Sequence, residues 1–236
     1  MEDKFLILTL LIASLGFIIW FTLSTSYLLP VRFQVLYDAN PPYVNRIFRR
    51  RIFGAFIFGL IPMYIIKCTG LLNRPLFSDL NISFHWNEKV SLWLLCTVPI
   101  VLIVNFITTK KSSSLEQFPE VRVRFWRPGI FVWSAIWWIV YLIAYEFFYR
   151  GLLFQSFRLH LSDALSIIAA TGIYALTQYF KRNRVSFFSI VYGALACYMV
   201  LDTGSILPAL ILHIISTLSV EWLSIRHHPE MYFIKT

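Results

Sequence analysis

Glu146 and Arg150 stand four residues apart in the run Tyr145-Glu146-Phe147-Phe148-Tyr149-Arg150-Gly151, which continues an apolar stretch from Ile130. At helical spacing the two side chains share one face, and Glu before Arg is the favourable order for an ion pair. His213 sits in the middle of a later apolar run, one helical turn before Thr217 and two before Glu221. Gln178 closes a third run, just ahead of the basic turn Lys181-Arg182-Asn183-Arg184. A carboxylate and an imidazole are the usual materials of proton transfer near neutral pH. Each residue also has a plainer reading: an intrahelical ion pair that keeps Glu146 ionised, a core histidine with satisfied nitrogens, an interfacial glutamine. Spacing alone leaves both readings open.

The surroundings give these residues their weight. The chain is 58% hydrophobic and only 14% charged, with a mean hydropathy of +0.68, against about 45–50% apolar and about 25% charged in soluble domains. Too few polar side chains remain to coat a water-facing surface. The expected architecture is all-α, a polytopic bundle of about seven transmembrane helices. The spans are expected at about Phe5–Leu29, Ile52–Leu72, Val90–Thr108, Ile130 through Ala144 with an amphipathic continuation to Phe157, Ala164–Phe180, Val185–Leu201 and Ile206–Ile225. Pro99 is expected to kink the third. Glu2, Asp3 and Lys4 are unlike the basic start of a signal peptide, so the first span is expected to stay as an anchor. An ionisable group at the centre of such a helix costs about 2.5–3.5 kcal/mol on insertion scales. The nitrogens of His213 therefore need partners, and Glu146 is the obvious distant one.

The connectors carry the charge. Turn chemistry at Asn40-Pro41-Pro42 precedes Arg46, Arg49, Arg50 and Arg51 in a loop, and Asn73, Arg74, Pro75, Asp79, Asn81 and Asn87 mark the next connector. The longest polar stretch runs from Thr109 to Gly129, with Lys110, Lys111, Arg122, Arg124 and Arg127. A net charge of +9 spread over short loops fits topology determinants and anionic headgroups rather than nucleic acid. With an external N-terminus the basic loops and the C-terminus face the cytoplasm, and the opposite loops keep only Arg74, Lys89 and Arg158. Cys68, Cys96 and Cys197 lie in apolar stretches without a CxxC pair and read as buried, inert thiols. Asp202 and Glu221 lie near helix ends and read as hydrated; His160, His227 and His228 fall in polar segments and carry little weight.

Three motifs carry a family likeness. Glu-Phe-Phe-Tyr-Arg-Gly at 146–151, the step from Tyr174 to Gln178, and Thr-Gly-Ser-Ile-Leu-Pro-Ala-Leu-Ile-Leu-His at 203–213 resemble the CPBP (CAAX protease, or ABI) family of intramembrane proteases. The likeness covers about Ile130 to Ile225. The family pattern is EExxxR, FxxxH and HxxxN or HxxxB. Here Glu146 and Arg150 match the second Glu and the Arg, and Tyr145 replaces the first Glu. Tyr174 replaces Phe, Gln178 replaces His, His213 is kept, and Thr217 occupies the Asn position.

What the resemblance implies is a membrane-embedded endopeptidase that cuts peptide bonds near the membrane surface. In the family the first Glu and the second-motif His activate a water, and the last His and Asn stabilise the oxyanion. Catalysis here would rest on Glu146, Arg150, Gln178, His213 and Thr217, with Glu146 turned inward as base. Tyr145 is no carboxylate and Gln178 accepts no proton, so lost or altered catalysis is expected, with a non-catalytic scaffold or peptide-binding protein of the same fold as the alternative. A proton-relay transporter is a further one. No cofactor is expected, because Glu146 and His213 supply only two of the three protein ligands of a catalytic zinc site. The expected partners are the bilayer, a membrane-tethered or hydrophobic peptide, or another membrane protein. The expected location is a bacterial inner membrane. The organisation reads as motif-free helices over 1–129, the motif-bearing core over 130–225 and a tail over 226–236.

Overall fold

The long apolar runs do form the helices expected of them. The computed structural model describes residues 2–26, 41–69, 83–181 and 186–234. Helix α1 is Glu2–Ser26, and α2 (Pro41–Ala55) runs through a π-helical segment, Phe56–Leu60, into α3 (Ile61–Thr69). Helix α4 (Glu88–Thr108) continues unbroken through Pro99 and is followed by the single turn α5 (Ser112–Leu115) and strand β1 (Phe125–Trp126). Helix α6 (Pro128–Glu146) passes through a second π segment, Phe147–Leu153, into α7 (Phe154–Arg158). Helices α8 (Asp163–Lys181), α9 (Ser186–Thr203) and α10 (Leu207–His227) and strand β2 (Tyr232–Phe233) are the remaining elements among the described residues.

The protein is an all-α membrane bundle. Among the described residues, five stretches are long and apolar enough to cross a bilayer: Asp3–Thr22, Pro42–Thr69, Glu88–Thr108, Pro128–Arg158 and Leu207–His227. Phe188–Thr203 is a shorter apolar helix, and α8, with its polar positions, falls in neither set. The remaining two of the seven expected spans are thus present as helices without meeting the length and apolarity of a span.

Several expectations are corrected. Arg46 to Arg51 belong to a helix, because the second rod begins at Pro41 rather than at Ile52. The continuation past Ala144 is not amphipathic: every residue from Phe147 to Phe157 is buried between neighbouring helices. Cys68 and Cys96 face outward and only Cys197 is buried. Glu221 is 3% exposed rather than hydrated, for a reason given below. Asn40, the connector residues Asn73 to Asn81, and Arg182, Asn183 and Arg184 lie outside the described residues.

The apolar core joins both halves of the chain. Phe58 of the first π segment packs against the rings of Trp20, Tyr141, Tyr145, Phe148 and Tyr149. At Gly59 a Cβ would stand 2.9 Å from the Ala144 Cβ, so only glycine allows α6 to approach the first π segment this closely. At one end of the bundle Asn87 caps α4 by accepting from the Val90 N–H at 2.9 Å and donates to the Thr203 carbonyl at 2.9 Å. Lys89 pairs with Asp202 at 2.8 Å beside it. In the last turn of α4, Asn105 donates to Ser219 Oγ at 2.8 Å, fastening α4 to α10.

The opposite, basic end is held by buried charge. Arg51, 3% exposed, gives two bonds to Glu120 Oε2, at 3.0 and 2.8 Å, and two to Ser134, at its carbonyl and hydroxyl. Arg50 adds a bond to Glu120 Oε1 at 3.0 Å. The Glu221 carboxylate accepts from the Glu120 backbone N–H at 3.0 and 3.2 Å and lies 3.9 Å from Arg51. This one network ties α2, the connector, α6 and α10. The connector and the C-terminal tail then pair as parallel strands, Phe125 beside Tyr232 and Trp126 beside Phe233.

Removing one member of such a buried set leaves its partners uncompensated, at a cost of about 3–5 kcal/mol. Glu120→Ala is therefore expected to lower stability by about that amount, read as a reduced unfolding temperature in detergent. A pH effect is expected from the same end. Burial first, and the Arg122 guanidinium second, hold the His228 imidazole below its ordinary value of 6.5, with Glu230 opposing. The folded chain then binds fewer protons than the unfolded chain below about pH 6.5, so acidification through that range destabilises the fold. Thermal unfolding followed from pH 7.5 down to about pH 5.5 is expected to fall less steeply in His228→Gln than in the parent.

Candidate functional site

Glu146 is the last residue of α6, and the second π segment starts immediately after it. Segments of this kind recur at functional sites because they re-aim side chains within a helix. The carboxylate is 0% exposed and meets two basic groups. Its Oε1 accepts a hydrogen bond from His213 Nδ1 of α10. Its Oε2 passes 3.3 Å from Arg150 Nε without hydrogen-bond alignment, and Arg150 Nη1 reaches Oε1 at 3.5 Å. Arg150 is 1% exposed and sits over the faces of Tyr174, at 4.5 Å, and Tyr192, at 5.4 Å. A guanidinium with unmet donors is thus held by charge and by ring faces as much as by directed bonds.

His213 is the accessible member of the group, with 16% of its side chain exposed. An ionised carboxylate can only accept, so Nδ1 carries the shared proton and Nε2 is the nitrogen left for another group. The Tyr192 ring lies 4.9 Å from the imidazole, and its hydroxyl donates to the Ala209 carbonyl at 3.0 Å while passing 3.5 Å from Glu146.

The two positions that depart from the family pattern touch each other. Gln178 Nε2, on α8, donates to the Tyr145 hydroxyl at 2.9 Å. Tyr145 is buried edge-on to His213 and packs against Tyr149, whose hydroxyl donates to Thr177. Tyr145, Glu146, Arg150, Gln178 and His213 are therefore brought together. Thr217 is not joined to them: it is half-buried one turn along α10, and among the described residues no hydrogen bond links it to Glu146, Gln178 or His213. Tyr192 and Cys197 of α9, the latter against Arg150 and Thr171, are the residues that sequence reading missed. Nothing in an apolar helix marks one aromatic or one thiol as facing a charge. Among the described residues no three His, Cys, Asp or Glu side chains come together as a metal site.

The enclosure of Glu146 makes a specific stability pattern. Glu146→Gln strands Arg150 in an apolar centre and is expected to cost about 3–5 kcal/mol, whereas Glu146→Gln with Arg150→Met removes the stranded charge and costs less. His213→Ala, at a partly exposed position, is expected to cost less than Glu146→Gln. Unfolding temperatures of the three variants in one detergent check the order.

Residues 126–219, from β1 through most of α10, match the family described as type II CAAX prenyl endopeptidase Rce1-like. No curated protein and no solved structure matches the chain significantly. The matched stretch contains every member of the Glu146 group, and it bears out the resemblance read from the three motifs. This is an integral membrane protein whose residues 126–219 are similar to the Rce1-like CAAX prenyl endopeptidases.

Proposed function

We propose that the chain is a CAAX-protease-like membrane protein that holds a membrane-tethered or hydrophobic peptide without hydrolysing it. The observation that carries this reading is the Tyr145–Gln178 hydrogen bond at 2.9 Å. Where the family pattern has a carboxylate and an imidazole for activating water, two neutral side chains satisfy each other, and neither takes a proton near neutral pH. Glu146 is no substitute base, being fully buried and committed to Arg150 and His213. In this reading Arg150 and Glu146 fix His213, and His213 and Gln178 present polar groups to the peptide. The basic end faces the cytoplasm, by the usual bias of Lys and Arg across a bacterial inner membrane.

One observation favours a second reading, altered catalysis. A carboxylate on Nδ1 with Nε2 left open is the arrangement in which histidine serves as a general base, and His213 has it. The two readings separate in vesicles holding the full chain and a prenylated, membrane-tethered peptide. Binding without cleavage is expected for the parent chain. His213→Ala is expected to weaken peptide retention, and Tyr145→Glu with Gln178→His to gain cleavage. Turnover by the parent chain that disappears in His213→Ala would overturn the binding reading in favour of the catalytic one.

A further inference from the structure

At the basic end, away from Glu146, an open-sided cavity of about 320 Å³ is lined entirely by apolar surface from Trp126, Pro128, Phe131, Phe233 and Ile234. It is built where β2 of the tail pairs with β1 and covers the start of α6. Phe131, one of its lining residues, is stacked on Trp222 at 5.1 Å and edge-on to Phe233 at 5.7 Å. Two exposed arginines adjoin its residues in the chain. Arg127 lies in the chain between the lining residues Trp126 and Pro128, and its carbonyl accepts the Phe131 N–H at 3.1 Å, closing the first turn of α6. Arg226 lies four residues after Trp222, on the same face of α10 and in its last turn. Both are exposed, and among the described residues neither has an ion-pair partner. Arg124, by contrast, is met by Glu230 at 3.5 Å.

An apolar, aromatic hollow with exposed Arg127 next to it in the chain, and exposed Arg226 one turn beyond the Trp222 that stacks on Phe131, is complementary to one class of molecule. We infer that this is a specific site for an anionic phospholipid, with an acyl chain in the cavity and the phosphate between Arg127 and Arg226. Basic residues near a membrane surface contribute about 1 kcal/mol each toward anionic lipid, so two of them correspond to a preference of about 30-fold over a zwitterionic lipid. The acyl chain adds the local character: a free phosphate satisfies the arginines but leaves the hollow unfilled.

The test is photo-crosslinking of the full chain in nanodiscs with a phosphatidylglycerol bearing a diazirine near its headgroup end, mapped by mass spectrometry. Labelling is expected within 126–131 and 233–234. Unlabelled phosphatidylglycerol is expected to compete about 30-fold better than phosphatidylcholine, with inorganic phosphate competing poorly. Arg127→Gln with Arg226→Gln is expected to remove that preference, and Phe233→Ser to lower labelling while keeping it. If the double variant folds poorly, Arg226→Gln alone is expected to reduce the preference about fivefold. Labelling spread evenly along the spans, equal competition by the two lipids, competition by phosphate, or a second copy of the chain crosslinked there instead would each overturn the site.

Discussion

A carboxylate with no exposed surface, in a bundle whose outer faces meet acyl chains, persists only if charge of the opposite sign is built in beside it. Glu146 meets this condition twice, through Arg150 one turn along its own helix and through His213 from α10. Those two contacts fix much else. They set the rotation of α6 relative to α10. They bring the faces of Tyr174 and Tyr192 against the guanidinium, and they leave His213 as the group through which the centre meets its surroundings. The wall of tyrosines around it is a consequence of the same requirement. Aromatic faces accommodate a cation in apolar surroundings without adding further charge.

The helices and the central pair were legible because their signals are local. Apolar runs of span length, a Glu and an Arg at i and i+4, and a histidine isolated among Ile and Leu can each be read without knowing the fold. The contact between Glu146 and His213 was legible as well, because lipid offers an imidazole no other partner. The Tyr145–Gln178 bond was not. Each substitution was visible by itself as the loss of a titratable group, but their mutual contact depends on how α8 lies against α6, which no spacing encodes. The arginines at 46–51 misled for a related reason. Read alone, four basic residues mark a loop, whereas Arg51 is neutralised by Glu120 some 69 positions away and sits inside a helix. Glu221 is a like case, its partner being a backbone N–H of the connector.

The two polar centres divide the labour of the bundle. The one around Glu146 is compact and aromatic, and its partly exposed members include His213 and Gln178. The one around Glu120 is extended, with its carboxylates met by guanidinium and backbone donors, and it is closed. Only the first falls wholly within the stretch that matches a known family; the second draws its arginines from α2, outside that stretch.

The reach of this network limits where the molecule can be cut. A fragment beginning at the start of the recognised region would keep Glu221 and Ser134 but discard Arg50, Arg51 and Glu120, and would lose Trp20 and Phe58 from against Tyr141. It would carry the whole signature of its relatives and yet open a hole lined with an orphaned acid. The border seen by comparison with other proteins marks where resemblance stops, while the buried core it packs into extends back to the first helix.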